Sequence, residues 1–499
     1  MWVPETIHLR TWLLALGVCL YFAIVTVSVV VVLRQNRNPI RALSWVIALI
    51  FLPGVGLIFY LFFGRSLRGE MLTQQNRRRL QHSFQPGGVR LQDSEMSKEQ
   101  KNLVMLGSEL SSYPFTYNNE VEIFISGDKK FEALKKDLEN ARKSIYLQYY
   151  IFLDDKTGEE IAGILRRKAR EGLEVKVIYD HVGSFSTSNK FFKKMQADGI
   201  EVHPFFRVNF PQFANRINWR NHRKIVVIDG RIGYIGGMNI ADRYSQGKEI
   251  SPDTGKKGVT KFFEKKNNKE AIWRDTHFRV RGDIVDSLIH SFLIDWNFLK
   301  KEPFIPKLLP RQEEIKNETG VQLVTGGPIS TWDNLSLMFL KAITSAKRLI
   351  WIQTPYFLPT DALFNALQAA ALSNIDVRIM MPAHTDSVLL HYASFSYITQ
   401  CLNAGIKIYL YNAGMLHAKS MVIDDDLVTA GSTNFDFRSF ENNFECNLFI
   451  YDKAFNAKMR DIFYSDMQEC VKLTKENWHK RPLSHRFNES LLRLVSPIL

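Results

Sequence analysis

Apolar and polar positions change character three times along the chain. From Thr11 to Leu33, and again from Leu43 to Phe63, no residue is charged. Each run is long enough to cross a hydrocarbon core of about 30 Å as a helix. The connecting stretch Arg34 to Arg41 is short and basic, so residues 1–65 are expected to form a transmembrane helical hairpin with helices over 11–33 and 43–63. Pro53 and Gly54 are placed to kink the second span. A cleaved signal peptide is the competing reading of the first run, but the run is too long for one and a second follows almost at once. Residues 66–120 are polar and rich in Gln and Arg, which predicts a linker with a short helix over 98–110. Beyond them, apolar runs of strand length alternate with helical stretches, the pattern of an α/β fold.

That alternation occurs twice. Ser144-Ile-Tyr-Leu-Gln148 parallels Leu349-Ile-Trp-Ile-Gln353, and Glu174-Val-Lys-Val-Ile178 parallels Asp376-Val-Arg-Ile-Met380. Helical stretches over 188–197 and 392–403 then lead to Gly199-Ile-Glu-Val and Gly405-Ile-Lys-Ile. The order strand, helix, strand, helix, strand recurs over roughly 125–305 and 320–475, too long a period for a solenoid and in keeping with duplication of one α/β unit. The domains expected are the hairpin 1–65, the linker 66–120, a first half 121–310 and a second half 311–499.

Each half carries the same constellation. His222, Lys224, Asp229, Gly236, Gly237 and Asn239 recur with identical spacing as His417, Lys419, Asp424, Gly431, Ser432 and Asn434. A His and a Lys two apart at the head of a strand point to the same face. Asp229-Gly230 is a hairpin signal, with Ile232 to Ile235 as the return strand. The glycines then allow backbone to come close to a ligand. An acidic residue follows each motif, in Trp273-Arg-Asp275-Thr-His277 and in Asn443-Phe-Glu445-Cys-Asn447. Two copies imply two halves of one active site. Asp229 and Asp424 fit either turn chemistry or catalysis, with the turn favoured beside Gly230.

The motif His-x-Lys, four residues, Asp, six residues, Gly-Gly or Gly-Ser, one residue, Asn resembles the signature of the phospholipase D superfamily. The segment from Arg37-Asn-Pro-Ile-Arg-Ala-Leu-Ser-Trp45 through Leu61-Phe-Phe-Gly64 looks like the membrane segment of bacterial cardiolipin synthases. The resemblance implies two duplicated phospholipase D-type α/β/α sandwich halves sharing one active site. It also implies phosphatidyl transfer from one phosphatidylglycerol to another, giving cardiolipin and glycerol.

A phosphodiester needs a nucleophile, a proton for the leaving alkoxide and positive charge at its free oxygens. Two imidazoles supply the first two, one as nucleophile and one as acid and base. Lys224, Lys419, Asn239 and Asn434 supply the third. Spacing leaves the order of the histidines open; the resemblance assigns His222 as nucleophile and His417 as acid and base. It likewise casts Asp275 and Glu445 as the carboxylates that orient them. No cofactor and no metal is expected.

Lysine and arginine outnumber aspartate and glutamate by 65 to 51, a net charge of +14, which suits an anionic partner. The hairpin makes that partner a lipid surface rather than a nucleic acid. Phosphatidylglycerol is expected as donor and acceptor, in the cell membrane, with a cytoplasmic catalytic domain favoured by the loop arginines. The competing activities are a phospholipase D-type hydrolase and a phosphatidylserine synthase-like transferase. The four cysteines lack metal or disulfide spacing and read as buried thiols. Three segments are candidates for lipid contact: the seven-lysine stretch Lys248 to Lys269, the aromatic stretch Phe205 to Trp219, and the tail Leu491 to Leu499.

Overall fold

The computed structural model describes residues 5–35, 39–52, 54–60, 96–111, 113–208, 218–245, 273–300 and 319–495, with isolated positions between 304 and 315. The lysine-rich stretch 248–269, most of the aromatic stretch (209–217) and the last residues of the tail (496–499) lie outside the described residues. Two compact units emerge: residues 1–75 with 207–219, and residues 76–206 with 220–499.

In the first unit the helix Glu5–Gln35 contains one apolar stretch, Thr11–Val30, that is long enough to cross a membrane. The helix Pro39–Phe51 packs beside it, with the Tyr21 hydroxyl donating to the Leu49 carbonyl at 3.1 Å. The helix stops before Pro53 and resumes as Val55–Phe59, with Gly54 at φ +77°. The second apolar run is therefore broken where proline and glycine predict a break.

The second unit holds both halves. The first half is a seven-stranded sheet in the spatial order Asn119–Phe124, His277–Gly282, Ile232–Gly236, Ile225–Ile228, Ser144–Tyr149, Glu174–Asp180, Glu201–Phe205. The second half repeats that order as Gly320–Gly326, Glu445–Tyr451, Leu427–Gly431, Ser420–Ile423, Leu349–Gln353, Asp376–Pro382, Lys407–Tyr411. Register repeats too: Ile145 faces Ile228 as Ile350 faces Ile423. The expected duplication is present strand for strand.

Strand alternation builds the layers. Ile145, Leu147 and Tyr149 pack into one core with Phe131, Leu134, Ile161, Leu165 and Phe191 from the helices Gly127–Glu139, Lys156–Arg170 and Asn189–Ala197. Tyr146 and Gln148 face the other way, against Phe292 and Asp295 of the helix Ile284–Lys300. A central strand buried on both faces reads as a near-continuous apolar run, as Ser144–Tyr149 does. In the second half Ile350 and Ile352 face the large core, while Trp351 and Gln353 face Phe463 and Asp466 of the helix Lys453–Gln468. Each half is an α/β/α sandwich.

Part of the stretch expected as linker is structural. The helix Lys98–Ser111 buries Leu103 and Val104 in the core of the second half, and the strand Phe115–Thr116 pairs antiparallel with Gly320–Gly326. Gln322 Nε2 donates to the Val104 carbonyl at 3.1 Å. Only after crossing to the second sheet does the chain enter the first, at Asn119. The tail is also structured in part: in the helix Leu483–Val495, Glu489 pairs with Arg481 and Leu492 meets the core, leaving Leu483, Phe487 and Leu491 exposed.

Candidate active site

Each motif histidine stands just before its strand, and its backbone is anchored to the opposite half. The His222 amide donates to the Phe444 carbonyl at 2.9 Å, and the His417 amide to the Arg274 carbonyl at 2.7 Å. Met415–Leu416 pairs in parallel with Trp273–Arg274, and Asn221 bridges to Phe444. Two seams thus join the halves, one beside each histidine.

The carboxylates are exchanged across these seams. Glu445 of the second half lies 3.0 Å from Nδ1 of His222, through both of its oxygens. Asp275 of the first half lies 2.6 Å from Nδ1 of His417. An ionised carboxylate only accepts, so the carboxylate contacts favour the proton on each Nδ1, at His417 against the donor Lys419, and leave each Nε2 for chemistry. Both imidazoles line one cavity of ≈ 290 Å³, together with Asn239 and Asn434. Burial of all four His and carboxylate side chains is nearly complete.

The lysines sit behind the histidines rather than on the cavity wall. Lys224 donates to the His222 carbonyl and Lys419 to the His417 carbonyl. The Lys419 ammonium is 2.8 Å from Nδ1 of His417 and 3.7 Å from Asp275. Burial pushes Lys224 down to about 7 and also lowers Lys419. Burial, with the lysine charges beside it, holds both imidazoles at about 4 against the carboxylates' pull. Burial would raise Glu445 and Asp275, but His222 and Lys224 keep the first, and Lys419 and His417 the second, below the usual range.

Asp229 and Asp424 do not join the site. Asp229 accepts from the backbone amides of Arg142, Lys143 and Ser144 at 2.7–3.0 Å. Asp424 accepts from those of Lys347, Arg348 and Leu349 at 2.7–3.0 Å. At φ +56° and +48° both occupy the left-handed region that Asp tolerates in turns. They fasten each motif hairpin to the start of the central strand, so the catalytic placement gives way to a structural one.

The Gly-Gly and Gly-Ser difference has a steric cause. A Cβ on Gly237 would come within 2.1 Å of Asp275 Oδ1. At the equivalent place Ser432 fits, and its hydroxyl donates to the longer Glu445. Asn239 accepts from the Ile151 amide at 3.1 Å and donates to the Tyr244 hydroxyl at 2.8 Å.

Several cavity residues were missed from the sequence. The Tyr150 ring is 4.9 Å from that of His222, and the Trp273 ring 4.7 Å from that of His417. Tyr244, Tyr356, Asp386, Asp436, Arg243, Arg438 and Asn443 complete much of the wall. A signal existed for Trp273 and Asn443, each two residues before its carboxylate; none existed for Tyr150 or Tyr356. His277 and Cys446 are buried nearby but do not line the cavity. Among the described residues no group of three or more His, Cys, Asp or Glu is arranged to hold a metal ion.

Residues 134–250 and 339–467 match the family model described as cardiolipin synthase, PLD-like domain, and residues 16–65 match the phospholipase D-nuclease N-terminal model. The chain is 38% identical to cardiolipin synthase 2 of Bacillus anthracis over 475 residues, 94% of this chain and 89% of that one. The chain belongs to the cardiolipin synthases of the phospholipase D-like family. A further relative, cardiolipin synthase 1 of Staphylococcus aureus strain COL, is 37% identical over 98% of each chain. Among solved structures, phosphatidylserine synthase of Haemophilus influenzae matches 80% of this chain and all of its own with a TM-score of 0.58 at 17% identity. That likeness concerns the fold. The family and the apolar helix over Thr11–Val30 associate the protein with membranes.

Proposed function

We propose that this cardiolipin synthase transfers a phosphatidyl group from one phosphatidylglycerol to a second, releasing glycerol and forming cardiolipin through a phosphohistidine on His222. The observation that carries the reading is the pair of buried imidazoles on one cavity, each held at Nδ1 by a carboxylate from the opposite half. Neutral His222 attacks phosphorus through Nε2, which splits one displacement into two. His417 protonates the departing glycerol oxygen and then takes the proton of the incoming hydroxyl. Family resemblance, not geometry, decides which histidine has which task.

Burial keeps both imidazoles neutral in the free protein, which suits a nucleophile. An entering phosphodiester adds negative charge beside His417 and draws its proton affinity upward, which suits an acid. Lys224, drawn down to about 7 by burial, is charged in part in the free protein and gains charge as an anionic phosphodiester enters. With Lys419 it stands behind the rings, and Asn239 and Asn434 stand on the wall as donors to phosphoryl oxygens. A cavity of ≈ 290 Å³ is at the small end of ligand sites; it takes a headgroup and leaves acyl chains outside. In this reading the two N-terminal apolar runs form a membrane hairpin, the catalytic halves stand on the cytoplasmic side, and residues 121–310 and 311–499 act as one enzyme.

The test is incubation of the purified protein with labelled phosphatidylglycerol as sole lipid. Cardiolipin and free glycerol support the reading. Phosphatidic acid without cardiolipin makes the protein a hydrolase, and turnover only with a nucleotide-activated lipid makes it another transferase.

A further inference from the structure

The repeat runs past the motif as first read. Four residues after each motif asparagine stands an arginine, in Asn239-Ile-Ala-Asp-Arg243 and in Asn434-Phe-Asp-Phe-Arg438. Both line the cavity. Arg243 is exposed on the turn Asp242–Tyr244, its guanidinium 4.9 Å from the centre of the Trp273 ring; Arg438 is half-buried on the helix Phe437–Glu441.

Other arginines around the site are committed. Arg220 pairs with Asp180, Arg223 with Asp295 and Arg274 with Asp466. Arg243 and Arg438 have no carboxylate within 4 Å among the described residues. The acids on the same wall are engaged elsewhere: Asp386 accepts from the Tyr356 hydroxyl, and Asp436 caps its own helix at the Ser439 amide, 2.7 Å away. Two guanidiniums without a close ion-pair partner among the described residues, one from each half, face a cavity whose histidines lie deeper, with His222 and His417 only 7% and 6% exposed.

Transfer between two phospholipids brings two phosphodiesters into one site. The reacting one belongs at the buried imidazoles. The other, on the acceptor, is a full negative charge a glycerol away, and in a partly desolvated cavity it is repelled unless a cation meets it. Guanidinium is the side chain best matched to a phosphodiester, through paired N–H donors.

We propose that Arg243 and Arg438 form a second anion position at the mouth of the cavity, which holds the phosphodiester of the acceptor lipid while its free hydroxyl reaches the histidines. This rests on the phosphatidyl-transfer reading above. The acceptor oxygen bonds to phosphorus, the phosphorus–nitrogen bond to His222 breaks with its electrons returning to the imidazole, and the hydroxyl proton passes to His417. The arginines select an anionic lipid acceptor over water.

The experiment uses the full chain in phosphatidylglycerol vesicles, with rapid-quench measurement of glycerol and cardiolipin. In the Arg243→Gln/Arg438→Gln double variant, glycerol still appears in a burst near one per enzyme. Cardiolipin formation falls by about tenfold or more, the loss expected when a charge-assisted contact is removed, and phosphatidic acid rises. The Arg243→Lys/Arg438→Lys variant, which keeps the charge but not the paired donors, recovers part of the transfer lost in the double Gln variant. A glycerol burst that falls in step with cardiolipin would place the arginines on the donor phosphate and overturn the proposal, as would a double Gln variant identical to the parent. Absence of cardiolipin from the unaltered protein would instead remove the parent reading.

Discussion

The two seams that join the halves do the same work with different parts. Beside His222, Arg223 reaches Asp295 of its own half at 2.9 Å and donates to the Glu445 carbonyl, and its guanidinium lies 5.7 Å from the centre of the Phe444 ring. Beside His417 the equivalents are exchanged: Ala418 replaces Arg223, Arg274 replaces Phe444, and Arg274 reaches across to Asp466 at 2.6 Å. Gln148 holds Asp295 as Gln353 holds Asp466. Each seam therefore contains an arginine–aspartate pair held by a glutamine, and the His222 seam adds a second pair, Arg220 with Asp180; the first half supplies all three arginines. Duplication preserved the balance of buried charge and not the residue positions. The halves are bound to each other by chemistry that neither could complete alone.

The largest effect should come from the imidazoles. His222→Ala and His417→Ala are each expected to lower cardiolipin formation by about 10⁴-fold or more, because residues acting as a unit fail together. The variants differ in what they trap: the His417→Ala protein should form the phosphatidyl adduct slowly, without an acid for the departing glycerol, and then hold it, without a base for the acceptor, whereas the His222→Ala protein should form none. Rates and covalent labelling of both variants measure this.

Next come the arginines of the seams. Arg274→Ala leaves Asp466 buried with only Gln353, and Arg223→Ala leaves Asp295 without its guanidinium. Breaking a buried pair from one side costs about 3–5 kcal/mol, which denaturant unfolding would read. Equal losses would support the balanced seams; a loss confined to one would break the equivalence.

The orienting carboxylates follow. Glu445→Gln and Asp275→Asn should each reduce transfer by about 10²- to 10⁴-fold, because each leaves its histidine without the carboxylate that fixes its tautomer. Asp275→Glu should do worse than Glu445→Asp, since Asp275 already meets the backbone position of Gly237 where no Cβ fits.

The smallest effect is the pH dependence of stability. Both imidazoles have folded pKa values near 4, below the unfolded value of about 6.5. As pH falls below about 6.5 the unfolded chain takes up protons and the folded one does not until about 4, so stability is lost in that window. The expected loss is about 2 kcal/mol per histidine between pH 7 and pH 5. Replacing either histidine with Gln should remove half of it, if the seams are electrostatically alike.

Much of this was legible in the chain. The strands Ser144–Tyr149 and Leu349–Gln353 announced themselves as buried runs, and the repeated His, Lys and Asn spacing marked both sides of the site. Asp275 and Glu445 were visible as acids following each motif. Their exchange between halves was not, because the pairing of His222 with a residue 223 positions away depends on how two sheets meet and leaves no local pattern. The same holds for the docking of the helix Lys98–Ser111: a short helix was expected there within a linker, but not that Leu103 and Val104 would seat it in the core of the second half. Asp229 shows the converse: its turn role was readable from the glycine beside it, although its place in the motif left catalysis open as well.

The most direct measurement is to quench the purified protein during turnover of labelled phosphatidylglycerol and locate the covalent label by peptide mass spectrometry under conditions that preserve phosphohistidine. The label is predicted on the peptide containing His222, accumulating in the His417→Ala variant and absent in the His222→Ala variant. Label on His417 would reverse the two roles, and cardiolipin formed with no label on either histidine would contradict the shared, covalent site.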